Sequence, residues 1–176
     1  MTEEQVILVD KSDIQIGLMN KQEAHVKGVL HRAFSIFIFN TKNELLVQQR
    51  AFEKYHSAGL WTNTCCSHPR RGESLLDAAN RRLDEEMGMK CDLRKSFDFI
   101  YKANMPNQLI EHEFDHVFFG FSDDNPIINL EEVANFKYMA LNDLEIDIAE
   151  NSHLYTEWFK ICFNEVLKRV KLINHD

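Results

Sequence analysis

The sequence predicts an α+β protein, a mixed β-sheet covered by helices. Three observations carry that expectation. Apolar runs of strand length recur in several separate blocks, Ser74 to Met87 repeats apolar residues at helical spacing, and the C-terminal stretch lays apolar residues along one side of a long helix. No internal repeat, low-complexity tract or Pro/Gly/Ser-rich linker interrupts the chain, and 6 Gly and 3 Pro in 176 residues are few. Residues 1–176 therefore read as a single domain, long enough to bury most of its apolar surface.

Val6 to Val9 reads as a first strand and Ile14 to Met19 as its partner, across a turn at Asp10 to Asp13. Arg32 to Asn40 is apolar on both faces through Phe34, Ile36, Phe37, Ile38 and Phe39, which marks a central buried strand. The turn Asn40-Thr41-Lys42-Asn43 leads into a strand at Glu44 to Arg50. In the helix from Ser74 to Met87, Ser74 suits the cap and Asp77 the first turn, and Leu76, Ala79, Leu83 and Met87 recur along it. Phe97 to Tyr101 and Glu113 to Phe121 read as strands, antiparallel across a loop at Asn104 to Gln108. The last helix is predicted to carry Leu154, Trp158, Ile161, Cys162 and Val166 on one face.

Net charge is −8, which argues against a nucleic-acid partner, because neutralising phosphates needs a basic face. A small anionic substrate remains compatible if basic residues gather locally. The opening Met1-Thr2-Glu3-Glu4 is acidic where an export signal is basic and then apolar, and the apolar runs fall far short of a membrane span. The expectation is a cytoplasmic protein with no membrane partner, in which Cys65, Cys66, Cys91 and Cys162 are free thiols.

The chemistry-bearing residues are concentrated. In the extended segment Trp61 to Pro69, alternate residues share a face, so Cys66 and His68 point the same way and Cys65 points away, into the core. A buried, inert thiol is the simpler alternative for Cys66 as well. Downstream, Glu111, Glu113 and Asp115 share one strand face, and His112, Phe114 and His116 the other. His25, His31 and His68 with Glu111 and Glu113 make a donor set suited to Zn²⁺, Mn²⁺ or Fe²⁺, although spacing alone does not gather them; His56, His112, His116, His153 and His175 are unassigned. Glu73, Arg81, Leu83, Glu85, Glu86, Gly88 and Met89 fall in register with the Nudix signature, with Ser67 at its first glycine and Arg82 at a metal-binding glutamate. Carboxylates three or four apart on a helix can hold a hard cation against a diphosphate; the alternative is a solvated acidic helix end with an Arg82–Glu86 ion pair. Arg82 in place of a carboxylate weakens multi-metal hydrolysis and favours holding the diphosphate.

Together, Ala24-His25, Leu30-His31-Arg32-Ala33-Phe34-Ser35, Trp61-Thr62-Asn63, Cys66-Ser67-His68-Pro69, Gly72-Glu73-Ser74 and Glu111-His112-Glu113 resemble the type I isopentenyl-diphosphate isomerases, from about Val6 to Trp158. The departures are Cys65 beside the matching cysteine, Ser67 for a glycine, and one residue fewer between His25 and His31. The resemblance implies a Nudix-like fold that interconverts isopentenyl and dimethylallyl diphosphate, as a monomer or weak homodimer. It implies that Cys66 and Glu113 are catalytic, with Tyr101 beside Glu113 and Trp158 in the pocket. It places one tightly held Mn²⁺ or Zn²⁺ on His25, His31, His68, Glu111 and Glu113, and Mg²⁺ with the substrate at Glu86. Lys21, Arg50, Lys54, Arg82 and Ser67 are then the diphosphate-binding residues.

The chemistry fits these groups. Moving an unactivated double bond requires proton gain at one carbon and loss at another, through a tertiary carbocation that water would trap. A dry pocket with an aromatic wall and two opposed acid–base groups meets that requirement. Two other classes compete: a Nudix hydrolase of a nucleoside or prenyl diphosphate leaves Cys66 and the histidines idle, and a non-catalytic zinc-stabilised binding domain leaves the helix carboxylates and Trp158 unexplained.

Overall fold

A computed structural model describes residues 4–173; the acidic opening Met1 to Glu3 and His175 lie outside the described residues. The strands β1 (Gln5–Val9) and β2 (Gln15–Asn20) form the expected hairpin. Its turn is tied by the Asp10 carboxylate, which accepts from the Ser12 and Ile14 amides at 2.8 and 3.0 Å. A short helix follows that the sequence pattern did not show, α1 (Lys21–Lys27), capped by Asn20, whose side chain accepts from the Glu23 amide at 3.1 Å.

The central strand β3 (His31–Phe39) is buried from Ala33 to Phe39, as its continuous apolar run predicts. It runs parallel to β8 (Ile110–Phe121), which pairs antiparallel with β7 (Arg94–Asn104). On its other edge β3 meets β1 at His31, the short β6 (Cys65–Ser67) at Phe34 to Ile36, and β4 (Glu44–Arg50) at Phe39. β4 also pairs with β5 (Trp61–Thr62) and with β9 (Val133–Ala140), completing one nine-stranded mixed sheet. The loop between β7 and β8 is tighter than expected, since Asn104 still belongs to β7.

Because strand side chains alternate, β3 feeds two cores. On one face Phe34, Ile36 and Ile38 pack with Cys65 and Phe118 under α2 (Leu75–Met87). On the other, Phe37 and Phe39 pack with Val117 and Phe119 under α4 (Glu157–Ile173). Each such phenylalanine contributes about 1.5–3 kcal/mol of burial. α2 starts where predicted, with Ser74 Oγ accepting from the Asp77 amide at 3.1 Å. It stops at Gly88, whose φ of 60° suits glycine, and a Cβ there would stand 2.6 Å from the Ile127 carbonyl oxygen.

Three helix assignments need correction. Leu76 is 45% exposed, because the buried stripe of α2 runs through Ala78, Ala79, Leu83 and Met87 and Leu76 lies off it. Leu154, at 41%, belongs to a 3₁₀ turn before α4, and Ile161, at 47%, falls outside the stripe formed by Trp158, Phe159, Cys162, Phe163 and Val166. β9 and the helix α3 (Leu141–Glu150) were also not foreseen. Among the described residues no helix is long and apolar enough to cross a membrane, and all four cysteines are free thiols, as the sequence predicts.

Candidate active site

β3 and β4 pair only at Phe39 and Leu45. Where they part, between Phe34 and Arg50, a cavity of about 260 Å³ opens. Cys66, Ser67, His68, Tyr101, Glu111, Glu113, Trp158, Lys21, Arg50, Lys54, Arg82 and Glu86 all line it. His25 and His31, both fully buried, stand against Glu111 and Glu113 at its wall.

Strand register gathers the imidazoles and carboxylates. The parallel β3–β8 ladder sets His31 beside Glu113, and β7 sets Tyr101 opposite the same residue. His25 comes from α1 and His68 from the end of β6. His25 Nε2 is 3.3 Å from Glu111 Oε2, while His31 and His68 Nε2 lie 3.6 and 2.9 Å from Glu113 Oε1. One donor atom from each of His25, His31, His68 and Glu113 falls within 4.8 Å of all the others. His31 donates its Nδ1 proton to the Val29 carbonyl (2.8 Å), which leaves the Nε2 lone pair facing inward. Nε2 of His25, Nε2 of His31 and Oε2 of Glu111 are buried without a hydrogen-bond partner. Such orphaned atoms cost about 1–3 kcal/mol each unless satisfied, and a borderline divalent metal satisfies this donor set. The residues therefore fit a tightly held metal.

The proton-carrying groups sit on the same sheet face. Ser35 pairs with Cys66 on one side and Val117 on the other, so Cys66, Asp115, Glu113 and Glu111 share a face by alternation, and Cys65 turns into the α2 core with no exposure. Asn63 fixes the segment, its amide donating to the Cys65 and Ile36 carbonyls at 2.8 and 3.1 Å. Burial pushes the Cys66 thiol well above its usual range despite Arg50 nearby, so it carries its proton at neutral pH. Burial also opposes charge on Glu113, but hydrogen bonds from His31 and His68 outweigh it and hold the carboxyl well below its usual range. Tyr101 donates to Glu113 Oε2 at 2.7 Å, and burial keeps its phenol protonated. Burial lowers His68 to about 4, which leaves it a neutral donor at pH 7. Asp115, accepting from Ser35 at 2.7 Å, is pushed well above the usual carboxylate range by burial and by Glu113.

Four cations also line the cavity, and each has a local partner. Lys21 pairs with Glu4 at 3.1 Å, Lys54 with Glu132, and Arg82 with Glu86, with Glu85 at 2.7 Å and with Glu132 at 3.3 Å. Arg50 stacks on Trp158 with its guanidinium carbon 5.3 Å from the ring, and the indole N–H donates to Asn63 at 3.3 Å. Nε of Arg50 and of Arg82 are buried without partners, donors that an anion would satisfy. The Arg82–Glu86 ion pair expected of a solvated helix end is present, but Glu86 is 5% exposed and accepts a second hydrogen bond from Gln48 at 2.9 Å. Sequence reasoning missed Glu4, Gln48, Tyr55, His56 and Glu132; strand parity with Arg50 could have found Gln48, and the others lie in no periodic pattern that points at the cavity.

The mixed sheet between two helices, one of them ending in carboxylates at the cavity, is that of a NUDIX domain, and residues 29–159 match the family model of that description. Solved structures agree in fold: a Deinococcus radiodurans protein superposes with TM-score 0.70 at 20% identity, covering 84% of this chain and 90% of its own. Curated relatives are much closer. Isopentenyl-diphosphate Delta-isomerase 2 of Photorhabdus laumondii is 56% identical over 162 residues, 92% of each chain. Isopentenyl-diphosphate Delta-isomerase 1 of Aromatoleum aromaticum is 52% identical, covering 94% of this chain and 93% of its own. The chain belongs to the isopentenyl-diphosphate Delta-isomerases of the NUDIX family.

Proposed function

We propose that this chain, acting in the cytoplasm as one unit of residues 1–176 and as a monomer or weak homodimer, interconverts isopentenyl and dimethylallyl diphosphate for isoprenoid synthesis. The observation that carries the reading is a thiol, Cys66, and a carboxylate, Glu113, on one sheet face in one cavity that Lys21, Arg50, Lys54 and Arg82 also line. One member gives a proton to the terminal alkene carbon, forming the tertiary cation, and the other removes a proton from the neighbouring methylene. The pair therefore holds as many protons after turnover as before. Tyr101 holds Glu113 in place, and Trp158 walls the cation from water. Lys21, Arg50, Lys54, Arg82 and Ser67 hold the diphosphate, and Glu86 shares it with Mg²⁺. His25, His31, His68, Glu111 and Glu113 would hold a Mn²⁺ or Zn²⁺, whose fixed positive charge would set the proton affinity of Glu113.

Incubation with isopentenyl diphosphate and Mg²⁺ is expected to yield dimethylallyl diphosphate with phosphate release far slower. Phosphate release at a comparable rate instead supports the hydrolase alternative. Arg82 in the place of a carboxylate argues for isomerisation.

A further inference from the structure

Two consecutive residues of the β4–β5 loop touch the metal-binding cluster from outside. His25 Nδ1 lies 3.1 Å from the Tyr55 hydroxyl, and Glu111 Oε1 lies 3.0 Å from His56 Nε2. These contacts divide the ligand atoms cleanly. The outward atoms of His25 and Glu111 are taken by Tyr55 and His56, while the inward atoms, His25 Nε2 and Glu111 Oε2, are the partnerless ones. The same division holds for His31, whose outward Nδ1 goes to Val29, whereas Glu113 gives Oε2 to Tyr101 and Oε1 to His68, whose Nδ1 has no partner. His56 is 7% exposed, and its remaining nitrogen faces the Ser57 hydroxyl at 3.3 Å, so the ring is fixed at both ends.

We infer that Tyr55 and His56 are positioning residues of the metal centre, Tyr55 accepting the Nδ1 proton of His25 and His56 donating Nε2–H to Glu111. The inference rests on the proposed metal site. The hydrogen bond at the far nitrogen selects the tautomer that offers Nε2 to a metal, and the donor on Glu111 turns its other oxygen inward. Lys54, a proposed diphosphate ligand, directly precedes the pair, so one loop carries all three. The competing arrangement is that His56 is itself a ligand, since His25, His56 and Glu111 also offer atoms within 4.8 Å of one another.

The test is Co²⁺ binding to the full-length protein, measured by competition with a chelator together with the visible ligand-field spectrum. Three variants are compared with the unaltered chain: Tyr55→Phe loses only a hydroxyl, His56→Leu loses the donor, and His56→Gln restores an N–H donor. Tyr55→Phe and His56→Leu are expected to weaken binding by about 10- to 100-fold, with His56→Gln recovering most of it. The spectrum and the Mg²⁺ requirement for turnover should stay as they were. Undiminished affinity in both Tyr55→Phe and His56→Leu overturns the inference, as does a spectrum showing one nitrogen ligand fewer in the His56 variants. If the unaltered chain fails to hold Co²⁺ tightly, the metal site itself is wrong and the inference falls with it. Should His56→Leu not fold, Tyr55→Phe and the His56→Gln spectrum still decide between these outcomes.

Discussion

Cys66→Ala is expected to lower turnover by about 10²–10⁴-fold or more, the effect of losing a positioned acid–base group, while Cys65→Ala keeps most of it. The two thiols are adjacent but face opposite cores. Cys66 lines the cavity on the face that carries Glu113, and Cys65 is sealed among Ile36, Leu83 and Phe118 beneath α2. Because the buried thiol of Cys66 is already protonated at neutral pH, the loss should persist across the neutral range and not be recovered by raising the pH by a unit. Steady-state turnover of both variants checks the ranking. The reverse order would mean that Cys66 lies outside the chemistry.

Glu113→Gln is expected to be at least as damaging, for a different set of reasons. The substitution keeps shape and a polar tip but removes the negative charge that His31 and His68 face, and with it an acid–base group. It also turns one acceptor oxygen into a donor, so the group meeting the Tyr101 hydroxyl or the His68 nitrogen changes sign. Turnover should fall by about 10²–10⁴-fold or more, and metal retained through purification should fall in parallel. Elemental analysis beside the rate measurement separates the two losses. A variant that retains turnover within about tenfold of the unaltered chain would move the acid–base role to another group.

Much of this site was legible because its residues lie on strands, where parity alone fixes the face. Cys66 with His68, and Glu111 with Glu113, could be put on common faces from spacing, and the continuous apolar run of β3 marked the buried strand that joins them. What spacing did not reveal falls into two kinds. α1 has seven residues and buries only Ala24 and His25, and α3 buries only Leu144, so neither carries a readable stripe. β9 is mostly half-buried on both faces, which blurs its alternation. Tyr55, His56, Glu4 and Glu132 act through partners far away in sequence or from irregular segments, where position is set by tertiary packing and not by periodicity. Leu154 and Ile161 show the opposite error: apolar residues near a helical stripe need not lie within it.

The parallel ladder that sets His31 beside Glu113 also dictates when the proposed metal site comes into being as the chain folds. Its ligands come from α1, β3, the end of β6 and β8, and they meet only after β3 has closed on β8 across everything between. Such non-local pairing forms late, after the loop-closure entropy has been overcome, so the unfolded chain and the earliest folding species have no site to offer. A metal should therefore act on the return path. Refolding rates measured with and without Zn²⁺ should agree closely, whereas unfolding should slow by about 100-fold when free metal stands at about 100 times its dissociation constant. Stopped-flow refolding and unfolding in denaturant, with and without a chelator, read the two rates separately. Metal-accelerated refolding would mean that a subset of these ligands assembles before the sheet closes.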